Sequence, residues 1–355
     1  MDRYVGLDAH ASSCTVGVVG PSGRRLSSQV VETNARALIE VVRAVPGKRH
    51  LCLEEGTLTE WLYEVLEPHV QELVVVGVRE SRGPKNDKLD AFGLAEQLRI
   101  GVIETRVYKK RGQFRRLGQL ARGYGYVVGD TARVKNRIKS VLRSRGVAYP
   151  GGAAVYAKSG RERWLGRLPE VLVPLAELLY EEHDALLALR RKAEKALLEE
   201  AKKHREWHLL KTCPGLGPVR TAELLPVVVT PYRFQSRSKF WGYCGLGVVM
   251  RTSSDWVRNR SGQWVKAPVQ RTRGLNRNFN HTLKRIFKGA ATTVIGRAED
   301  GPLYRHYELL LEGGTKPNLA KLTIARQIAA VALALWRSGE RYDPRRLEGA
   351  QTTTS

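Results

Sequence analysis

Residues 4–31 read YVGLDAHASSCTVGVVGPSGRRLSSQVV, and the fold of the first third of the chain follows from them. Positions 4–7 and 15–19 are short apolar, β-branched runs, Gly20-Pro21-Ser22-Gly23 supplies turn chemistry, and a third run begins at 28–31. This pattern predicts an antiparallel meander. Further on, residues 35–45 carry apolar side chains at helical spacing, 51–53 return to strand and 61–66 to helix. Residues 73–78 form a continuous apolar run of the kind buried in the centre of a sheet. Three strands followed by alternating helices and strands predict a mixed α/β sheet.

Beyond this sheet the composition changes. Between 109 and 145 twelve Lys and Arg face one acid, Asp130. Leu117, Leu120, Val127, Val128, Val134, Ile138, Val141 and Leu142 keep a helical period there, so one stripe can pack while the cations project outward. Pro150-Gly151-Gly152 closes the region. Residues 171–203 place Leu and Ala at close intervals among paired charges and predict a long helix or helix pair. A coiled-coil contact between chains and packing in cis are equally compatible with that pattern. A third unit begins near 209. Within it, residues 251–288 hold ten cations against Asp255, and 319–336 read as an Ala-rich core helix before a polar tail. The division expected is 1–108, a basic helical and coiled-coil-like connector at 109–205, a C-terminal domain at 206–345, and a tail at 346–355.

The whole chain has 355 residues, 60 Lys and Arg against 35 Asp and Glu, and a formal charge of +25. Solubility does not require such an excess, so the partner expected is a polyanion. No apolar run approaches the ~20 residues that span a bilayer, and MDRYVGLDAH lacks a signal-peptide core. The expected location is therefore cytosolic and nucleoid-associated. Cys14, Cys52, Cys213 and Cys244 form no Cys-x-x-Cys pair. They are expected as reduced, buried thiols rather than a zinc ribbon or a disulfide framework.

Acidic residues recur where strands end. Asp8 closes the first strand, Glu54 and Glu55 follow 51–53, and Asp87 and Asp90 lie three apart on a helix expected to begin near Pro84. Rigid backbone behind and a loop in front suit such residues for substrate chemistry. Gathered carboxylates need hard divalent cations to relieve their repulsion. Two ions roughly 4 Å apart can activate a hydroxyl and stabilise the leaving oxygen of a phosphodiester. The competing structural reading makes Asp8 a turn residue, Glu54 and Glu55 helix-dipole charges, and Asp87 a helix cap.

Residues 210–222, LKTCPGLGPVRTA, match a helix-hairpin-helix. Its glycines permit a tight turn, and N–H groups at the next helix start can grip a phosphate without reading sequence. Gly215, Gly217 and Arg220 are the candidates there, against a plain structural hairpin. Gly215-Leu216-Gly217 is not a dinucleotide fingerprint, because no third glycine follows in register. Farther on, Ser253 and Ser254 sit beside Arg251, and a serine among cations can attack phosphorus. A turn or helix cap is the structural alternative for this Ser-Ser-Asp sequence. Arg251, Arg258, Arg260, Arg271 and Arg273 are the cations expected to meet nucleic acid. His204 and His208, four apart on an expected helix, have a metal-ligand spacing but no third ligand nearby, and Trp207 between them argues for packing.

Taken together these residues resemble the transposases of insertion-sequence family one hundred and ten, which includes Piv-type DNA invertases and bridge RNA-guided recombinases. The likeness rests on Gly6-Leu7-Asp8, Glu55-Gly56-Thr57, the run Lys85-Asn86-Asp87-Lys88-Leu89-Asp90-Ala91, Pro214-Gly215-Leu216-Gly217, and Gly245-Leu246 followed by Ser253. Gly274-Leu275-Asn276 and Leu283-Lys284 continue it. The resemblance implies an α/β plus α protein. Its parts would be a RuvC-like, ribonuclease H-type N-terminal domain, a helical connector contributing to oligomerisation, and a mostly helical C-terminal transposase domain. It also implies Asp8, Glu55, Asp87 and Asp90 as ligands of Mg2+ or Mn2+, and Ser253 as a nucleophile that becomes joined to DNA phosphate. Double-stranded DNA, a structured guide RNA that pairs with it, and a dimer or tetramer of the chain are the partners implied. The sequence departs from the family in two places: Glu-Ala-Thr-Gly becomes Glu55-Gly56-Thr57-Leu58 beside Glu54, and Gln-Ser-Gly becomes Thr252-Ser253-Ser254. Glu54 and Ser254 therefore stand as alternatives to Glu55 and Ser253. A structure-selective nuclease would need the carboxylates alone. A non-catalytic architectural binder would need only the basic segments and the hairpin.

Overall fold

The computed structural model of the chain describes residues 1–77, 86–103, 106–107, 112–149, 152–253, 256–259, 261–266, 270–275, 278–297 and 301–345, with backbone alone at 249–253 and 270–273. The chain folds as two compact units, Met1–Lys110 and Arg111–Ser355. Pro84, Ser254, Arg260 and the tail at 346–355 lie outside the described residues.

In the first unit the elements run β1 (Asp2–Ala9), β2 (Ser13–Val19), β3 (Arg25–Glu32), α1 (Ala35–Ala44), β4 (Lys48–Glu54), α2 (Thr59–Leu66), β5 (Glu72–Val76) and α3 (Asp87–Ile100). The sheet order is β3-β2-β1-β4-β5. β1–β2 and β2–β3 are antiparallel, as the meander required, and β1–β4 and β4–β5 are parallel. The mixed α/β sheet expected from the sequence is present, and this architecture is consistent with a RuvC-like domain.

Side-chain alternation sends the strands to two different cores. Val5 and Leu7 of β1 join Val16, Leu38, Val42, Leu51, Leu53, Leu62 and Leu66 on the face covered by α1 and α2. On the other face Cys52, Val74 and Val76 meet Leu94 and Leu98 of α3. Gly6 sits under α3, where a Cβ would collide with the Ala91 carbonyl oxygen and stand 2.7 Å from the Ala95 nitrogen. Gly17 on β2 repeats the arrangement, with Phe92 3.1 Å from where its Cβ would be. Two glycines thus let α3 lie on the sheet at backbone contact.

The second unit contains α4 (Arg115–Arg143), α5 (Arg161–Leu165), α6 (Val173–Ala201), α7 (Arg205–Leu210), α8 (Gly217–Val228), α9 (Arg237–Tyr243), β6 (Val248–Ser253), β7 (Trp256–Arg258), β8 (Trp264–Lys266), β9 (Gln270–Leu275), α10 (His281–Arg297), α11 (Pro302–Glu312) and α12 (Pro317–Ser338). The two long helices pack on each other in cis. Val134, Ile138 and Leu142 of α4 share a core with Ala176, Leu179 and Tyr180 of α6. At their other ends Leu117, Tyr124 and Leu197 enter a larger core built on α7, α8, α10 and α12. Helix α12 is long and apolar enough to cross a membrane, but Ile324, Ala325, Ile328, Ala329, Ala332 and Leu333 are buried in that core. The strands β6–β9 modify the mostly helical expectation for this region. They form two short antiparallel ladders, β6 with β9 and β7 with β8, where the sequence signalled only a basic stretch.

Candidate active site

The carboxylates that the sequence singled out stand on three elements of the first unit. Asp8 is the penultimate residue of β1 and lies on the α3 face with Gly6. Glu54 ends β4, and the chain turns sharply through Glu55 and Gly56. Thr59 holds that turn, its Oγ1 accepting from Gly56 N at 2.6 Å and donating to Glu54 O at 3.3 Å. Asp87 and Asp90 occupy the first turn of α3. The helix is capped by Asn86, whose Oδ1 accepts from Lys88 N and Leu89 N at 3.1 and 3.2 Å. Asp87 is therefore not the cap, which removes the structural role proposed for it. The helix begins three residues after Pro84.

All five acids line one cleft of about 520 Å3 together with His10, Gly56 and Thr57. Asp8 is partly enclosed, its side chain 18% exposed against 54% for Asp87. Burial pushes its carboxyl above the usual aspartate range; His10 counters this, while Asp87, Asp90 and Glu54 add to it by like-charge repulsion. His10 is the residue that sequence reasoning missed. Its Nε2 lies 3.4 Å from Asp8 Oδ2 and 3.5 Å from Asp87 Oδ2. One donor atom from each of Asp8, His10 and Asp87 falls within 4.8 Å of the others. The signal available was its place two residues after Asp8, where the strand parity still favours the same side.

The donors fit a divalent cation. Carboxylate oxygens from separate elements converge where like charge already works against ionisation, which is the condition a cation relieves. The imidazole adds one nitrogen donor of the kind Mn2+ and later transition metals accept more readily than Mg2+.

Two family models match the chain. Residues 5–145 match a transposase model of the Asp-Glu-Asp-Asp type of IS110 elements, and 207–308 match the Transposase IS116/IS110/IS902 family. The spans cover about two thirds of the sequence and include every acid of the cleft. The chain belongs to the IS110 family of transposases. It is a DNA transposase or recombinase, and DNA is its substrate. No curated protein matches it.

In the second unit of the transposase, α7 and α8 flank the turn of the expected hairpin. Gly215 and Gly217 both adopt positive φ, at 74° and 62°. A Cβ on Gly215 would collide with the Ala290 carbonyl oxygen, whereas Gly217 faces open space. Arg220 is engaged inside the fold: its Nη1 donates to Gly215 O at 2.8 Å and to Thr293 Oγ1 at 3.0 Å. Burial lowers the pKa of this guanidinium from its ordinary value. It ties the turn to α10.

His204 and His208 do not share a helix. His204 is the extended residue preceding α7 and packs its ring on Phe114, while His208 Nε2 hydrogen-bonds the Lys202 carbonyl at 2.9 Å. The helical pairing needed for a joint metal site is absent, because the chain leaves α6 before reaching them. Trp207 is buried and donates to Pro218 O at 3.0 Å, in accord with packing. Ser253 is the last residue of β6 and pairs with Gln270, while Ser254 and Asp255, the rest of the turn or cap reading, lie outside the described residues. Arg251 pairs with Thr272 in the same ladder, Arg271 with Thr252, and Arg273 with Met250. Arg258 lies on β7, opposite Trp264. The four cysteines are buried, as expected. Burial pushes the Cys52 thiol up to about 12 and raises those of Cys213 and Cys244 as well, leaving these three inert as thiolates.

Proposed function

We propose that this transposase cleaves and exchanges DNA strands with a divalent-metal site on Asp8, Glu55, Asp87 and Asp90 of a RuvC-like domain, and with Ser253 as nucleophile. The observation that carries this reading is the convergence of these acids on one cleft with His10 between Asp8 and Asp87. Mg2+ or Mn2+ bound there would supply charge neutralisation at the phosphate and a lowered pKa for a coordinated hydroxyl. Asp8 is held by the end of β1, Glu55 by the Thr59-braced turn, and Asp87 and Asp90 by the Asn86-capped helix, so each acid is preorganised by backbone. Glu54 borders the same cleft and stands as the alternative to Glu55.

In the strand-transfer step the Ser253 hydroxyl attacks phosphorus. Its Oγ–P bond forms as the bond from phosphorus to a deoxyribose oxygen breaks, and the serine proton leaves with that oxygen. The phosphodiester count is unchanged, so the exchange is reversible without an energy source. Ser254 is the neighbouring candidate. The Arg-rich ladder around Ser253 supports a role in balancing phosphate charge. The excess of 25 positive charges supports binding to a polyanion, and the family resemblance implies a guide RNA that chooses sites by base pairing. Leu175, Leu178 and Leu189 stand exposed on α6 and support assembly as a dimer or tetramer.

The test is a strand-exchange assay with trapping of covalent protein–DNA adducts. Asp8→Asn and Ser253→Ala are expected to abolish transposition while guide-RNA binding persists, and the adduct is expected to be absent from Ser253→Ala. Wild-type activity in both variants would overturn the reading. Cleavage without any adduct in the wild type would point instead to hydrolysis by the acids alone.

A further inference from the structure

The β7–β8 ladder presents a surface that no part of the proposed chemistry uses. Trp256 pairs with Lys266, Val257 with Val265, and Arg258 with Trp264. In an antiparallel pair, residues opposite each other share a face, and so do residues two apart on one strand. Trp256, Arg258, Trp264 and Lys266 therefore lie on one face, and the two valines on the other. The tryptophans are 59% and 61% exposed, although indoles normally find cover. The Arg258 guanidinium lies 5.3 Å from the centre of the Trp264 ring, so charge and aromatic surface are already combined.

This tip is internally braced. Asn259 N donates to Gln263 O at 2.9 Å, and Asn259 Oδ1 accepts from Ser261 N and Gln263 N at 3.1 and 2.9 Å. Gly262, at φ 81°, closes the turn with its N–H on Asn259 O. Binding there need not order the strands first.

We propose that this face is a stacking platform for unpaired bases of a DNA strand. Indole rings gain most from a flat π surface, and cations on the same face take the accompanying phosphates. A closed duplex offers phosphates and groove edges but keeps its base faces stacked, so the tryptophans could add little there. Sheet geometry sets the two tryptophans as diagonal neighbours about 7–8 Å apart, within reach of successive bases on one strand. Strand exchange supplies the ligand, because a cleaved strand leaves its partner before rejoining. The proposal rests on the chain acting on DNA, and not on which residues cut it.

The experiment uses the full chain and fluorescence anisotropy with a labelled oligothymidine and, separately, a labelled duplex. Trp256→Ala with Trp264→Ala is expected to weaken single-strand binding by about 10- to 100-fold and to leave duplex affinity within about twofold. The salt dependence of single-strand binding should be unchanged, because no phosphate-contacting cation is removed. The double Phe variant is expected to recover most of the loss, and circular dichroism should match the wild type in both. Equal losses on the two DNAs, loss on the duplex alone, or no loss on either would overturn the platform. So would an unchanged single-strand affinity with an altered oligomeric state by sedimentation, which would make the face a contact between copies. Failure of the cleavage assay above would leave these binding results standing.

Discussion

Gly6 and Ala91 meet at backbone contact: nothing but a hydrogen fits between the β1 residue and the α3 carbonyl above it. Asp8 lies two residues beyond Gly6 on the same strand face, and Asp87 lies one helical turn before Ala91. The closeness of helix to strand at this point sets how near the two carboxylates come.

Gly6→Ala is accordingly expected to force α3 away from the sheet and cost about 3 kcal/mol of stability. Urea denaturation monitored by circular dichroism measures the stability loss. Mg2+-dependent cleavage should fall more steeply than stability alone accounts for. A variant with unchanged stability and full cleavage would show that α3 does not set the geometry.

Asp8 illustrates a conflict between stability and function. Its pKa is raised, first by burial, so the ionised form is disfavoured in the fold and the penalty is present at neutral pH. Protonation removes the penalty as pH falls below the raised pKa. Asp8→Asn should therefore raise the metal-free melting temperature by roughly 1–3 °C and abolish the further rise that Mg2+ gives the wild type. Differential scanning fluorimetry with and without Mg2+ reads both.

His10→Ala tests whether the imidazole belongs to the same constellation. Its nitrogen lies 3.4–3.5 Å from both Asp8 and Asp87. Isothermal titration calorimetry should show Mn2+ affinity reduced by about tenfold, at the low end for loss of a supporting group, with Mg2+ affinity changed less. Equal losses for the two ions would assign His10 to charge balance instead.

Arg161 and Asp184 form a two-pronged ion pair between α5 and α6. Two bonds of 2.8 and 2.6 Å join them, Lys158 adds a third cation contact, and the guanidinium lies over Tyr180. The pair holds the Asp184 carboxyl at about 2, with the Arg161 hydrogen bond the leading cause. Its folded pKa is depressed, so its contribution is present above the unfolded value near 3.8 and is lost as pH falls from there toward 2. Arg161→Lys keeps the charge but loses the fork and the stacking, and should cost about 1–2 kcal/mol, measured by denaturation at pH 7.

Gly215 and Gly217 separate packing from ligand binding in the hairpin. Gly215→Ala should destabilise by about 3 kcal/mol or more, since both its positive φ and the Ala290 carbonyl oppose a methyl group. Gly217→Ala meets open space and should cost only about 1 kcal/mol of backbone strain. Duplex DNA binding measured on the folded Gly217 variant then reports on the turn itself.

Much of the first unit was legible because its signals are local and repeated. Strand parity, the Gly-Pro-Ser-Gly turn and helical spacing each act over a few residues, and residues 35–66 fold as those signals read. The β7 and β8 strands were not legible: three residues with both faces exposed offer no apolar alternation, and the Asn259-to-Gln263 turn was the one local mark. His204 and His208 misled for the opposite reason, since their spacing fits a helix that in fact ends at Ala201.

The sequence by itself determined which residues carry charge, where strands and helices form, and that acids cluster at strand ends. Those properties follow from side-chain chemistry and short-range sterics. Only the tertiary structure decided that His10 stands between Asp8 and Asp87, that Asn86 rather than Asp87 caps α3, that Arg220 is bound to its own turn, and that two tryptophans share a cationic face. The His10 position and the Arg220–Thr293 bond depend on packing between segments distant in the chain, the tryptophan face on strand register across a hairpin, and the cap on where α3 starts as it packs on the sheet.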